Sequence, residues 1–246
     1  MPAGRLMLVV LLGLMAGAAS AEERSCRVPD DLALKDLALP AVRSAATTRH
    51  ALTILTIGGS STAGVMAGGP AFTYPARLGE QLRARLPGVV VTIVNRGQPG
   101  GTTRARVDRL QADLAEVKAD LVVWAPGSSE AGMSEDPDSF VGSLQEGLEK
   151  IRAAGTDVIL IDLQYAPSIA RVLNLGQYNA AIAGVAGAED VPLLRRSELM
   201  RRWNDDGTFE LDKTLPGARQ ATVRRLFDCV AAGVAEGVAA AVTAAP

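Results

Sequence analysis

Leu52-Thr53-Ile54-Leu55-Thr56-Ile57 runs directly into Gly58-Gly59-Ser60-Ser61-Thr62-Ala63-Gly64. A short β-rich run that stops at paired glycines and small hydroxyls reads as a strand closed by a tight turn. The residues beyond it repeat the theme. Tyr74, Leu78, Leu82 and Leu86 are spaced as one face of a helix that ends at Pro87-Gly88, and Val89 to Val94 is a second strand. Val107, Leu110, Leu114 and Val117 mark a second amphipathic helix, and Leu121 to Ala125 a third strand. Phe140, Val141, Leu144, Leu148 and Ile151 mark the next helix, with Gly155 at its stop, before a fourth strand at Val158 to Ile161. A helix over Gln177 to Ala186, a short fifth strand at Val191 to Leu194 and a closing helix through Val223, Leu226, Val230, Val234 and Val238 complete the series. Near-uniformly apolar strands alternating with amphipathic helices predict a parallel sheet covered on both faces.

Composition agrees. Of the 246 residues 48% are hydrophobic, too many for a disordered chain and enough for a full core. Basic and acidic residues number 25 and 27 and are mixed, and only 4% of residues are aromatic, so a nucleic-acid partner is set aside. A single histidine and two cysteines cannot build the usual His/Cys zinc site. They also leave one candidate for the most common general base, His50.

Residues 1–21 read as an export signal: Arg5, an apolar run from Leu6 to Ala16, then Ala19-Ser20-Ala21 as an A-x-A cleavage site. The apolar run is short of the ~20 residues that span a bilayer. The mature chain is expected to begin at Glu22, carry a net charge of −3, and be secreted or periplasmic without a membrane anchor. Cys26 lacks the preceding residues of a lipoprotein box. In an oxidising compartment Cys26 and Cys229 are the only pair available for a disulfide, the alternative being two buried thiols. Residues 22–49 are expected to be an irregular lead-in that packs on the domain, and residues 50–246 one domain.

In such a sheet ligands bind beyond the carboxyl ends of the strands, where small polar residues collect in 58–64, 95–101 and 127–130, and in 212–216 before the closing helix. A phosphate loop is excluded because Val65 stands where its lysine belongs, and Gly97-Gln98-Pro99-Gly100 does not fit a dinucleotide fingerprint. Two readings stay open: Ser60 as a nucleophile beside backbone N–H donors, or glycines and serines serving only as turn residues.

Taken together, the loops resemble the SGNH (GDSL-type) hydrolase superfamily from about Leu52 to Val242. Gly58-Gly59-Ser60-Ser61-Thr62 is similar to the segment that carries the nucleophilic serine. Asn95 to Gly100 resembles the second segment, in which the N–H of Gly100 would complete an oxyanion hole. Trp124 to Glu130 resembles the third, with Ser129 in place of an asparagine donor. Asp212 to Leu215 falls where the family has D-x-x-H, the acid and base. The resemblance implies a flavodoxin-like three-layer α/β/α fold with a parallel sheet of about five strands, and a serine ester hydrolase that works through an acyl-enzyme. No metal or organic cofactor is implied. The partner would be a small-molecule or glycan ester, and the chain is expected to act as a monomer.

Three departures stand out, of which the first lies outside the triad and the other two lower the expected turnover. Gly59 replaces the family aspartate, Ser129 offers a shorter donor than asparagine, and Leu215 stands at the position of the catalytic histidine. Loss of one oxyanion donor costs on the order of 10²–10³ in rate. Loss of a triad histidine costs on the order of 10⁶ in a serine protease. His50 precedes the first strand whereas Ser60 follows it, roughly 20–30 Å away at strand rise. Lys213 is an alternative base if burial lowers its pKa. Asp212 is either the acid or a loop and helix-capping residue. The runner-up reading is a binding module for a carbohydrate or acyl ligand.

Gln164-Tyr165 follows the fourth strand and is placed to line the cleft, although Tyr165 beside Pro167 also suits simple packing. Arg201-Arg202-Trp203 reads as a solvated turn with a tryptophan lid, or as a contact for an acidic ligand. Glu130 is expected to add negative charge near Ser60 and to hinder anionic substrates.

Overall fold

A computed structural model describes residues 27–212 and 216–244. In chain order the helices are α1 (Pro40–Ser44), α2 (Ser60–Ala63), α3 (Tyr74–Arg85), α4 (Thr103–Val117), α5 (Ser128–Met133), α6 (Pro137–Ala153), α7 (Pro167–Val172), α8 (Leu175–Ala188), α9 (Arg196–Asp205) and α10 (Pro216–Thr243). The strands are β1 (Ala51–Gly58), β2 (Val90–Asn95), β3 (Leu121–Ala125), β4 (Asp157–Ile161) and β5 (Leu193–Leu194). They form one five-stranded sheet in the order β2-β1-β3-β4-β5, with every pairing parallel.

The strand alternation sorts the core into two layers. Leu52, Ile54, Leu121, Val123, Ile159 and Ile161 face α3 and α10, where Leu78, Leu82, Val230 and Val234 are buried. Leu55, Ile57, Val122, Trp124 and Leu160 face the other way, onto Val107 and Leu110 of α4, Leu144 and Leu148 of α6 and Ile182 of α8. Because period-two side chains leave opposite faces of a strand, each face must be covered, and the three-layer arrangement follows. The helix Gly217–Thr243 is long and apolar enough to cross a membrane, but it buries Leu226, Phe227, Val230 and Val238 in the core beside α3.

Residues 27–39 of the lead-in carry no helix or strand, and only its second part is regular. Residues 40–49 form α1 and one π-helical stretch, Ala45–Arg49, and Leu32, Leu34, Leu39, Val42 and Ala45 are part of the core, which therefore begins before residue 50. The carboxylate of Asp157 accepts the Val42 N–H at 2.9 Å and fixes this segment to the start of β4. Alternation and period were hard to read there because Pro40 starts the helix and Ala45-Ala46-Thr47-Thr48 carries little apolar contrast. Strand β5 is shorter than expected, since Pro192 cannot donate to the ladder and only Leu193 and Leu194 pair with β4. The signal segment 1–21, Cys26, Lys213 and Leu215 lie outside the described residues.

Candidate active site

β1 and β3 are neighbours whose helices leave toward opposite faces, so the crevice between their carboxyl ends is the topological switch point where ligands enter such sheets. Ser60 opens α2 directly after β1, and Ser128-Ser129 opens α5 directly after β3. The first N–H groups of a helix have no partner within it. The Ser60 N–H is one of these, and it lies beside the loop that carries Gly100.

That loop is held tightly. Gln98 N–H donates to the Gly58 carbonyl at 2.9 Å, and the Asn95 side-chain amide donates to the Thr62 carbonyl at 2.8 Å while its oxygen accepts the Gly97 N–H at 2.8 Å. Gly97 is required by contact, because a Cβ there would lie 2.5 Å from the Ala63 nitrogen and 2.7 Å from the Thr62 carbonyl carbon. Arg106, reaching down from α4, donates to the carbonyls of Arg96 at 3.1 Å and Gln98 at 3.2 Å. Gly100 takes φ +71°, the left-handed region that favours glycine, and is exposed. Asn95 belongs to the segment the sequence singled out, but the support from Arg106 was missed, because its partners are backbone carbonyls of Arg96 and Gln98 and no side-chain pattern marks such contacts.

Two cavities meet at Ser60, Ser61, Gln164 and Ile169. One, of about 400 Å³, is lined also by Gly100, Ser128, Ser129 and Arg196. The other, of about 600 Å³, is lined also by Tyr165, Asp212, Arg171, Arg219, Val65 and Met66. Ser60, Gly100 and Ser129 therefore share one cleft, and Asp212 shares the adjoining one with Ser60. Gln164 lines both and Tyr165 the larger.

Several of these groups are already engaged. The Ser129 hydroxyl donates to the Gly101 carbonyl at 3.0 Å, so it is not aimed at the cavity as a donor. Both oxygens of Asp212 accept from Ser168, the second residue of α7, with the N–H at 2.5 Å and the hydroxyl at 2.6 Å. Gly59 is not merely an absent aspartate: a Cβ at residue 59 would meet the Ser128 Oγ at 2.5 Å, so Ser128 occupies the space a side chain would need.

His50 caps the π-helical stretch ahead of β1 in the left-handed conformation (φ 50°) and is exposed. β1 separates it from Ser60 by about 25 Å at ~3.3 Å per residue. Glu130 departs from expectation. It is buried, its carboxylate accepts the Thr103 N–H at the start of α4, and it lines neither cavity. Residue 130 lies in the first turn of α5, and this turn carries the side chain away from the cleft into the neighbouring helix start. Arg201-Arg202-Trp203 is not a turn. It belongs to α9, where Trp203 is buried and donates to the Arg27 carbonyl at 3.2 Å. Arg202 pairs with Asp31 and Glu198, and Arg201 with Glu198 and Asp205.

Residue Arg196 lies where no motif pointed. It is 3% exposed at the start of α9, donates to the Ser61 Oγ at 3.2 Å, and has a buried Nε with no partner. Below it Asp162, at the end of β4, accepts the Ser197 N–H at 2.8 Å. Burial pushes the Asp162 carboxyl up to about 6, against the lowering effect of Ser197 and Arg196. Burial likewise lowers the Arg196 guanidinium from its ordinary value. The only sequence signal was a charged pair, Arg195-Arg196, immediately after an apolar strand.

Comparisons with known proteins bear on this site. Solved structures with the same fold include a two-domain esterase active on acetylated mannans, 18% identical with a TM-score of 0.68, over 87% of this chain and 57% of that one. An acetylxylan esterase from Geobacillus stearothermophilus is 18% identical with a TM-score of 0.59, over 76% and 94% of the two chains. An SGNH-hydrolase family esterase is 22% identical with a TM-score of 0.54, over 70% and 89%. At such identities the likeness is one of fold. No curated protein matches the chain. The model of the non-GDSL lipase-like family matches residues 25–244, nearly the whole sequence. That match means the chain belongs to the non-GDSL lipase-like family, and its parallel 2-1-3-4-5 sheet gives it the fold of the SGNH-hydrolase esterases.

Proposed function

We propose that this protein is an exported, SGNH-type serine ester hydrolase of low turnover, with Ser60 as nucleophile. The observation that carries this reading is the sharing of one cavity by Ser60, Gly100 and Ser129 at the switch point of the sheet. The Ser60 Oγ would attack the ester carbonyl as its proton passes through water to the leaving alkoxide, the N–H groups of Ser60 and Gly100 would hold the oxyanion, and the alcohol would depart to give an acyl-enzyme that water then cleaves. What slows the cycle is the proton. The lone histidine of the sequence is His50, at the far end of β1, and Leu215 stands at the family's base position. The reaction then relies on donors and positioning, which alone retain about 10³–10⁴-fold over water in serine proteases.

Purified mature protein assayed on p-nitrophenyl acetate tests this. Slow release that disappears in Ser60→Ala is expected, and a rate unaffected by Ser60→Ala rejects it. N-terminal sequencing of exported protein is expected to begin at Glu22.

A second reading, a binding module for a carbohydrate or acyl ligand, is favoured by the engagement of Asp212 with Ser168 and of Ser129 with Gly101. It predicts ester binding without Ser60-dependent turnover.

A further inference from the structure

The charge lining the cleft is lopsided. Three guanidinium groups contribute to its walls: Arg196 in the smaller cavity, and Arg171 and Arg219 in the larger. Among the described residues Asp212 is the one carboxylate lining either, and its oxygens are held by Ser168. Glu130, the acid closest in sequence to the site's third loop, is directed into α4 instead. Arg196 is the unusual member. A buried charge is normally paired, because an unpaired one loses its hydration without compensation. Among the described residues Arg196 forms no ion pair; its one hydrogen bond goes to the neutral Ser61 hydroxyl, and its Nε has none. Asp162 faces it electrostatically, but that carboxylate is committed to the Ser197 N–H and is itself driven toward the neutral form by burial.

A buried, under-partnered guanidinium that lines a cavity shared with a candidate nucleophile is suited to receiving an oxyanion, since its planar fork matches carboxylate and phosphate geometry. We propose that the cleft selects esters bearing a negatively charged oxygen group, carboxylate or phosphate-like, a few atoms from the ester carbonyl, with Arg196 as its receptor. The proposal rests on the ester-site reading above and names its substrate class. The charged group seats on Arg196 beside Ser61, which puts the carbonyl within reach of the adjacent Ser60. Arg171 and Arg219, both exposed, add attraction at the mouth. Leu163, Ile169 and Leu173 supply an apolar wall for the linking carbons.

The test is equilibrium binding to the full mature chain carrying Ser60→Ala, measured by calorimetry with three probes: monoethyl succinate, ethyl 3-phosphonopropanoate and neutral ethyl butyrate. At least one anionic ester is expected to bind on the order of 10-fold or more tightly than ethyl butyrate, the worth of one charge-assisted hydrogen bond. Which anionic ester wins tells carboxylate from phosphate. Arg196→Met should erase the preference while leaving ethyl butyrate binding within about threefold. If that variant does not fold, Ile169→Glu, which introduces a competing carboxylate on a half-buried wall residue, should erase it instead. Equal affinity for charged and neutral probes, or a preference that survives these changes in folded protein, overturns the proposal. Ser60-dependent hydrolysis without anion preference rejects this inference alone. Anion preference without turnover rejects the hydrolase reading alone.

Discussion

The carboxylate of Asp212 is clamped to Ser168, accepting its N–H at 2.5 Å and its hydroxyl at 2.6 Å. Ser168 sits in the first turn of α7, whose N–H groups lack partners within the helix, so Asp212 completes that helix start from 44 residues away. The contact also joins two walls of the larger cavity, because Asp212, Ser168 and Ile169 all line it. Each oxygen accepts one bond and keeps a further lone pair, so an imidazole oriented by this acid would share it with Ser168. Arg171 lies 3.7 Å from the same carboxylate.

A histidine restored at residue 215 should reawaken the site. Leu215→His is expected to raise Ser60-dependent hydrolysis of p-nitrophenyl acetate by on the order of 10²-fold, the lower range for a positioned general base. Ser129→Asn should add to the gain, and Asp212→Asn should blunt it. Ser168→Ala, which releases one Asp212 oxygen, should increase it. Robust wild-type turnover that Leu215→His leaves unchanged would instead assign the proton to Lys213 or another group.

Gly97→Ala should destabilise the fold by about 3 kcal/mol, the upper part of the range for overpacking, and should lower any Ser60-dependent rate. The new methyl would press on backbone atoms of Thr62 and Ala63 in α2, the turn that carries Ser60. Gly184→Ala is the control: it is exposed in α8 with nothing near its Cβ, and it should stabilise by about 0.5–1 kcal/mol. Urea unfolding of the two variants and the parent reads both effects.

Asp162 gives the protein a pH-dependent weakness. Its folded-state pKa is raised by burial from the ordinary 3.8 to about 6, so the folded state holds the proton more tightly than the unfolded chain. That contribution to stability is full below about pH 3.8 and is lost as pH rises through about 6. At ~1.4 kcal/mol per unit the loss is on the order of 2–3 kcal/mol. Relative to wild type, Asp162→Asn should therefore become more stable by about that amount between pH 4 and pH 7.5. Parallel stability profiles for the two proteins would refute the assignment.

A disulfide between Cys26 and Cys229 is expected in exported protein. Cys229 is fully buried in α10, while Cys26 precedes Arg27, whose carbonyl is anchored by Trp203. Closing a loop of about 200 residues is worth roughly 5 kcal/mol at most in the chain-entropy model. Intact-mass measurement with and without reductant should differ by two hydrogens, and two alkylatable thiols in unreduced protein would exclude the bridge.

How much of this was legible in the sequence depends on the range of the interaction involved. Period and alternation are local, so β1, β3, β4, α3, α4, α6 and α10 could be read from Leu78, Leu82, Val107, Leu110, Val122 and their neighbours, and with them the three-layer class. The order of the glycine and serine loops along the chain was enough to bring Ser60, Gly100 and Ser129 to one end of a parallel sheet and to leave His50 at the other. What depended on side-chain direction was decided only by the tertiary structure. Glu130 and Ser129 are adjacent in one turn of α5, yet one is drawn to the start of α4 and the other to the Gly101 carbonyl. Asp212 is bound to a helix start 44 residues away, and Arg196 is carried under Ser61 by a strand and a turn whose sequence bears no motif. Burial is a property of the assembled layers, so the unpartnered Arg196 and the raised Asp162 arise only when β4, β5 and α9 have packed against α2.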